Sequence, residues 1–210
     1  MSQRGRPKSF DREEALEAAM LLFWERGFEQ TSVDEVAEAM GIRTSSLYSS
    51  FGDKEALFLA AVDHYRTGDG SYYDTAVNEG KTAKEGFTRL LEIAASEMTR
   101  PGRPKGCMVT LALPTCSPRY EELQRELDRL RDLFTGIWLN RLKEAVRSKE
   151  IPESTDLELL ATYFRTVLCG MSLQARAGAS EETLLAIGKL ALQVWPSPPS
   201  FPKDVRTRKS

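Results

Sequence analysis

Apolar residues recur at helical spacing along most of the chain, and small polar residues fall where helices begin and end. From Asp11 to Gly27, Leu16, Ala19, Met20 and Phe23 follow the i, i+3, i+4, i+7 pattern of an amphipathic helix. Asp11 with Glu14 predicts a capping box, Phe10 ahead of it a hydrophobic staple, and Gly27 the stop. A second, shorter helix starts at a Ser32/Glu35 capping box, carries Val33, Val36, Ala37 and Met40, and ends at Gly41. A third fits Thr44 to Phe51 with Leu47 and Phe51 facing inward. A fourth fits Asp53 to Arg66, with Leu57, Phe58, Ala61 and Tyr65 on its apolar face.

Residues 67–80 are turn-rich and weakly periodic, and predict a boundary or a flexible stretch. Helical periodicity resumes at Thr82, which with Glu85 caps a helix running to about Thr99. Residues 100–106 (RPGRPKG) break it, and a short apolar segment from Cys107 ends at Pro114. Ser117-Pro118 predicts the start of the longest helix, reaching about Lys149. Thr155 and Glu158 cap another from Asp156 to about Ala177, and a last helix spans Glu181 to Trp195. No strand pair is evident, so the expected class is all-α: a three-helix helix-turn-helix domain within residues 1–66, a helical domain over 81–195, and a proline-rich, basic, disordered tail over 196–210.

Composition sharpens this only locally. Over 210 residues the net charge is −2, so overall charge does not announce a nucleic-acid partner. Arg4, Arg6 and Lys8 nevertheless cluster at one end, and Arg206, Arg208 and Lys209 at the other. Three cysteines, Cys107, Cys116 and Cys169, form no CxxC pair, which predicts a reducing compartment rather than a disulfide framework. The first residues lack the apolar core of a signal peptide, and no apolar run is long enough to span a bilayer, so a soluble cytoplasmic protein with no membrane partner is expected. Enzyme chemistry is not expected. His64 is the single histidine, and no GxSxG, P-loop, HExxH or GxGxxG occurs. Neither cofactor nor metal site is anticipated, since no metal-ligand spacing appears.

The most specific signal lies between Ser32 and Phe51. Two short helices flank a tight turn, Gly41-Ile42-Arg43, as a helix-turn-helix requires, and the second of them can enter a DNA major groove. With Leu47 inward, Ser45, Ser46 and Ser49 point outward, flanked by Tyr48 and Ser50. Small hydroxyls suit close approach to phosphates and base edges; an ordinary polar face remains the alternative. The stretch from Phe10 to Tyr65, above all FWERGFEQTSVDEVAEAMGI and SLYSSFGDKEALF, strongly resembles the DNA-binding domain of the TetR family of repressors. The resemblance implies that Thr44, Ser45 and Ser46 face base edges. It implies phosphate contacts for Tyr48, Lys54 and the start of the second helix at Thr31 and Ser32. Arg43, where a Lys is common in the family, and Ser49 complete the candidate set. Serines at 49 and 50 stand where the family often has Tyr and His, which bears on the operator sequence rather than on the domain. Arg4, Arg6 and Lys8 form either a groove-reaching arm or a disordered basic end.

The remainder resembles the family's effector-binding and dimerisation domain, through GCMVTLALP and LCGMSLQARAGAS. The last two helices carry wide apolar faces, Leu157, Leu160, Ala161, Phe164, Leu168, Met171 and Ala175, then Leu184, Ile187, Gly188, Ala191 and Val194. They serve either a four-helix homodimer bundle or the internal core. Met98, Cys107, Met108, Phe134, Trp138, Tyr163 and Phe164 are the effector-pocket candidates, and their chemistry predicts a small, mainly apolar or aromatic effector. The expected function is transcription regulation: a homodimeric repressor on an inverted-repeat operator in double-stranded DNA, released by a small-molecule effector. Two alternatives stand beside it. One is a thiol-based redox sensor with Cys107 as the reactive group, favoured by the preceding Lys105-Gly106 and a following helix start. The other is an effector-free helix-turn-helix protein that organises DNA.

Overall fold

The computed structural model describes residues 11–112 and 120–196, and these contain helices and turns but no strand. The staple at Phe10, the N-terminal basic cluster, Cys116, the Ser117-Pro118 helix start and the tail lie outside the described residues. Helix α1 (Arg12–Arg26) is capped by the Asp11 carboxylate, which accepts from the Glu13 and Glu14 N–H groups, and ends at Gly27 with φ 82°. Helix α2 (Val33–Ala39) has the reciprocal Ser32/Glu35 capping box. After the turn come α3 (Thr44–Phe51) and α4 (Lys54–Thr67), the latter capped by Asp53 at 2.8 Å from the Ala56 N–H. Apolar faces of all four meet in one small core. Phe23 and Phe28 each pack edge-on against Phe58 with centroids 5.1 Å apart, and Val36 and Leu47 are fully buried beside them.

One expectation fails at residues 67–80. A helix, α5 (Tyr72–Glu79), occupies this stretch and packs along α6 (Ala83–Thr99). Eight residues with no side-chain cap would not hold a helix in isolation. Tertiary burial of Tyr72, Tyr73, Ala76 and Val77 supplies what local sequence lacks. Gly86 permits the contact, because a Cβ there would lie 2.1 Å from the Val77 carbonyl oxygen. Two distant groups secure this pair. Arg141 donates to the Val77 and Gly80 carbonyls, both at 3.2 Å, and the Glu150 carboxylate accepts from the Ala83 and Lys84 N–H groups at 2.7 and 2.8 Å.

The rest follows the predicted order: α7 (Met108–Ala112), α8 (Glu121–Arg147), α9 (Leu157–Arg176) and α10 (Glu181–Ala191), which tightens into a 3-10 turn over Leu192–Val194. Helix α9 is capped by Asp156 rather than Thr155. Its inward face, Leu160, Ala161, Phe164, Leu168, Met171 and Ala175, is core within the single chain. Phe164, Phe87 and Trp195 pack there as mutually tilted rings.

The two halves are joined by specific contacts. Helix α7 packs against α1 and α4 on one side and α9 on the other. Arg176 of α9 donates to the Trp24 and Glu25 carbonyls, at 2.5 and 3.2 Å, satisfying the free acceptors at the end of α1. Arg103 pairs with Glu17, which also meets His64 at 3.0 Å, and the Tyr120 ring packs edge-on to Phe28 at 4.9 Å.

Candidate nucleic-acid interface and effector cavity

Leu47 anchors α3 in the core, so rotation by helical steps turns the hydroxyl residues outward. Arg43, Ser45, Tyr48, Ser49 and Ser50 are exposed, and Thr44 and Ser46 half-buried. Tyr48 is 50% exposed and stands out as a large aromatic ring on an otherwise small-residue surface. Helix α3 carries no acidic residue in its first turn. Two of its hydroxyls are already engaged: Thr44 donates to Asp34 of α2 at 2.8 Å, bracing the turn, and Ser49 donates back to the Ser46 carbonyl at 3.0 Å. Both oxygens keep acceptor capacity. Arg43 sits at the N-cap without using its side chain there, which leaves its guanidinium clear of the helix end.

The second-helix candidates separate. Thr31 is fully buried, and its hydroxyl donates to the Gly27 carbonyl at 2.8 Å. Its side chain is turned into the core, so the phosphate contact that the resemblance implies at this helix start would fall to backbone N–H groups. Ser32 is exposed at the N-cap of α2, accepting from the Glu35 N–H, while Glu35 accepts from the Ser32 N–H at 2.7 Å. These bonds hold the Glu35 carboxyl below its ordinary range, the Ser32 backbone bond contributing most. Lys54 places its Nζ over the Phe28 ring at 4.3 Å, a cation–π contact that fixes the side chain at the base of α4.

In the C-terminal half, a cavity of about 50 Å³ opens among α4, α5, α7, α8 and α9. Of the sequence candidates it brings together Cys107, Phe134 and Trp138. Met98, Met108 and Phe164 are core residues elsewhere, and Tyr163 packs edge-on against Phe164. The remaining wall was missed by sequence reasoning. Tyr65 and Arg66 come from the last turn of α4, Tyr73 from α5, Arg131 from α8, and Arg165 and Cys169 from α9. One signal was available: Arg165 is the single charged residue between Tyr163 and Met171. The surface facing the space is mainly apolar, as expected, but three arginines that the sequence did not single out are among the residues lining it.

Cys107 is buried, and its N–H donates to the Ser172 hydroxyl at 2.8 Å. Gly106, at φ 82°, allows this approach, since a Cβ there would meet the Ser172 carbonyl oxygen at 2.7 Å. Lys105 does not support the thiolate as its sequence position suggested. Its ammonium is bonded to the Thr99 and Arg100 carbonyls, at 2.6 and 3.0 Å, at the end of α6. Burial raises Tyr65, Tyr72 and Tyr73 well above the ordinary phenol range, and the neighbouring Cys107 thiol adds to it. The Tyr72 and Tyr73 hydroxyls are buried and lack a hydrogen bond of good geometry. Among the described residues no cluster of His, Cys, Asp and Glu could hold a metal ion, and no helix is long and apolar enough to cross a membrane.

Known proteins share this arrangement. Residues 15–61 match the family described as bacterial regulatory proteins, tetR family. The HTH-type transcriptional repressor ComR of Escherichia coli (strain K12) is 33% identical over 194 residues, 92% of each chain. BdcR of the same organism, also an HTH-type transcriptional repressor, is 27% identical over 89% of this chain and 90% of its own. Among solved structures, a cysteine mutant of the TetR family transcriptional regulator CifR, complexed with 26 bp double-strand operator DNA, superposes with a TM-score of 0.86. It is 38% identical, covering 91% of this chain and all of that one. A helix-turn-helix with an exposed recognition face, a helical body behind it, and full-length similarity to such proteins lead to one conclusion: the chain belongs to the TetR family of bacterial DNA-binding transcription regulators.

Proposed function

We propose that the protein is a homodimeric repressor that grips an inverted-repeat operator and releases it when a small molecule enters the cavity. Helix α4 carries this reading. It starts beside the recognition helix α3, and its last turn supplies Tyr65 and Arg66 to the cavity wall. One rigid element therefore touches both jobs. In this reading residues 1–66 form the DNA-binding unit, and α5 belongs with the effector domain that continues through 81–195. Thr44, Ser45 and Ser46 read base edges; Arg43, Tyr48, Ser49, Lys54 and Ser32 contact phosphates. Thr31 supports the turn from inside. The names of ComR and BdcR support the repressing sign, and the CifR complex supports duplex operator DNA as the partner.

The dimer face is the outward side of α9 and α10. Leu159, Thr162, Thr166, Gly170 and Leu173 line one exposed stripe, and Ala186, Leu190 and Val194 the other. Small residues between exposed leucines suit close helix packing against a second copy. A redox input through Cys107 is the weaker reading, because the thiol is 3% exposed and its basic neighbour is engaged elsewhere. The test is selection of bound genomic fragments, followed by titration of the recovered duplex with and without candidate effectors. A palindromic site bound by a dimer, with affinity lowered about 5- to 150-fold by an effector, is the expected result. Equal binding to every duplex, or effector binding that is blind to saturating operator, would reject the reading.

A further inference from the structure

The cavity wall has an unusual balance of charge. Arg66, Arg131 and Arg165 line it, and no Asp or Glu is among its lining residues. Guanidinium groups withdrawn from water are costly unless their donors and charge find partners. Here the side chains are only partly withdrawn, Arg66 being 18% and Arg131 38% exposed, and their partnership is incomplete. Arg165 makes one side-chain hydrogen bond, to the Thr135 hydroxyl at 3.4 Å, and has no carboxylate within ion-pair distance among the described residues. Arg131 pairs with Asp128 one turn away, yet its Nε is buried with no partner. Arg66 meets Asp63 at 3.5 Å and Asp74 at 3.6 Å, both long for charge-assisted bonds, and its Nε is also buried without a partner. Tyr73, whose buried hydroxyl lies by Tyr72 without a hydrogen bond of good geometry, lines the same space. Phe134, Trp138 and Leu168 supply an apolar side.

We propose that the cavity takes a small organic anion, a carboxylate held by Arg165 with Arg131 and Arg66 and carrying an apolar or aromatic body against Phe134, Trp138 and Leu168. This names the ligand class for the effector site and rests on the reading of that cavity as the effector site. A carboxylate offers acceptor oxygens in the plane that a guanidinium fork matches, and it supplies the charge that the wall lacks. The cavity as it stands has room for only a few water molecules, so a ring-bearing acid must part its walls. Two of these walls are α7 and the last turn of α4. An anion that competes with Asp74 for Arg66 thus acts on the end of the helix whose other end adjoins α3.

The test uses the full chain, with benzoate and its uncharged isostere benzamide as probes, titrated calorimetrically at neutral pH. Benzoate should bind at least about tenfold more tightly than benzamide. Arg165→Gln should lower benzoate affinity to the benzamide level and leave benzamide unchanged, while Arg165→Lys retains part of the preference. Arg131→Gln is the second variant, and melting curves of each establish that it is folded. Benzoate binding that leaves operator affinity unchanged supports the anion site and rejects only the induction reading. Equal affinity for benzoate and benzamide overturns the anion site whatever happens to DNA. Absence of binding by benzoate, butyrate and phosphate alike at millimolar concentration overturns it as well.

Discussion

At the scale of single residues, the sequence placed most outward-facing side chains of α3 because one buried anchor, Leu47, fixes the rotation of that helix. Thr31 escaped that logic. Its hydroxyl meets the Gly27 carbonyl four residues earlier, and such local bonding leaves no periodic trace. Lys54 is both better placed and less free than a surface lysine, since it lies over Phe28. Lys54→Ala should therefore cost about 0.5–1 kcal/mol of stability through the lost cation–π contact. It should also weaken binding to all DNA sequences alike and flatten the log K against log salt slope by about 0.9 per lost phosphate contact. Fluorescence anisotropy at several salt concentrations checks this; an unchanged slope in a folded variant removes Lys54 from the phosphate set. The buried phenols give a second expectation. Folding keeps Tyr65, Tyr72 and Tyr73 protonated where the unfolded chain ionises them. Their contribution is fully present below about pH 10 and fades as pH rises toward their elevated native values. Stability should thus fall on the alkaline side above about pH 10, less steeply in Tyr72→Phe. Denaturant melts across that range, read against phenolate absorbance, measure it.

At the scale of elements, helix starts were legible wherever a capping side chain and an apolar period coincide, as at Asp11, Ser32, Asp53 and Thr82. Helix α5 was illegible for the converse reason. It follows Gly68, Asp69 and Gly70, has no side-chain cap, and owes its helical state to burial against α6 and α8. Gly86 is the residue on which that packing turns. It sits in the first turns of α6, where alanine would ordinarily favour the helix by about 1 kcal/mol. Against this stands a Cβ placed 2.1 Å from backbone that no rotamer change can move. The steric effect dominates, so Gly86→Ala should destabilise the protein by about 1–3 kcal/mol despite its better helix propensity. Urea denaturation provides the measurement, and a stabilised variant would show that α5 and α6 are free to separate.

At the scale of the whole molecule, the all-helical class was legible, whereas the cavity was not. Its walls come from five helices spread along the sequence; Arg66 and Arg131 look like ordinary solvated charges on their own segments, and only Arg165 stands out, as a charge in an uncharged run. The apolar faces of α9 and α10 posed the opposite problem. The residues most apolar in sequence are consumed by the internal core, and the face left for a partner is a sparser stripe of leucines and small residues. That division makes the dimer separable from the fold. Leu190 is 62% exposed, so Leu190→Glu removes little from the core but places a charge in the proposed contact between copies, where desolvating it is costly. The variant should keep its helix content and melt near the wild type, yet run as a monomer in sedimentation. Its DNA binding should then collapse, because one recognition helix reads only one half-site. Specific dimer binding at about 10⁻⁸ M or tighter should give way to the range of about 10⁻⁴–10⁻⁶ M typical of non-specific contacts. A monomer that still binds the full operator with wild-type affinity would separate DNA recognition from dimerisation, and the α9–α10 face would need another partner.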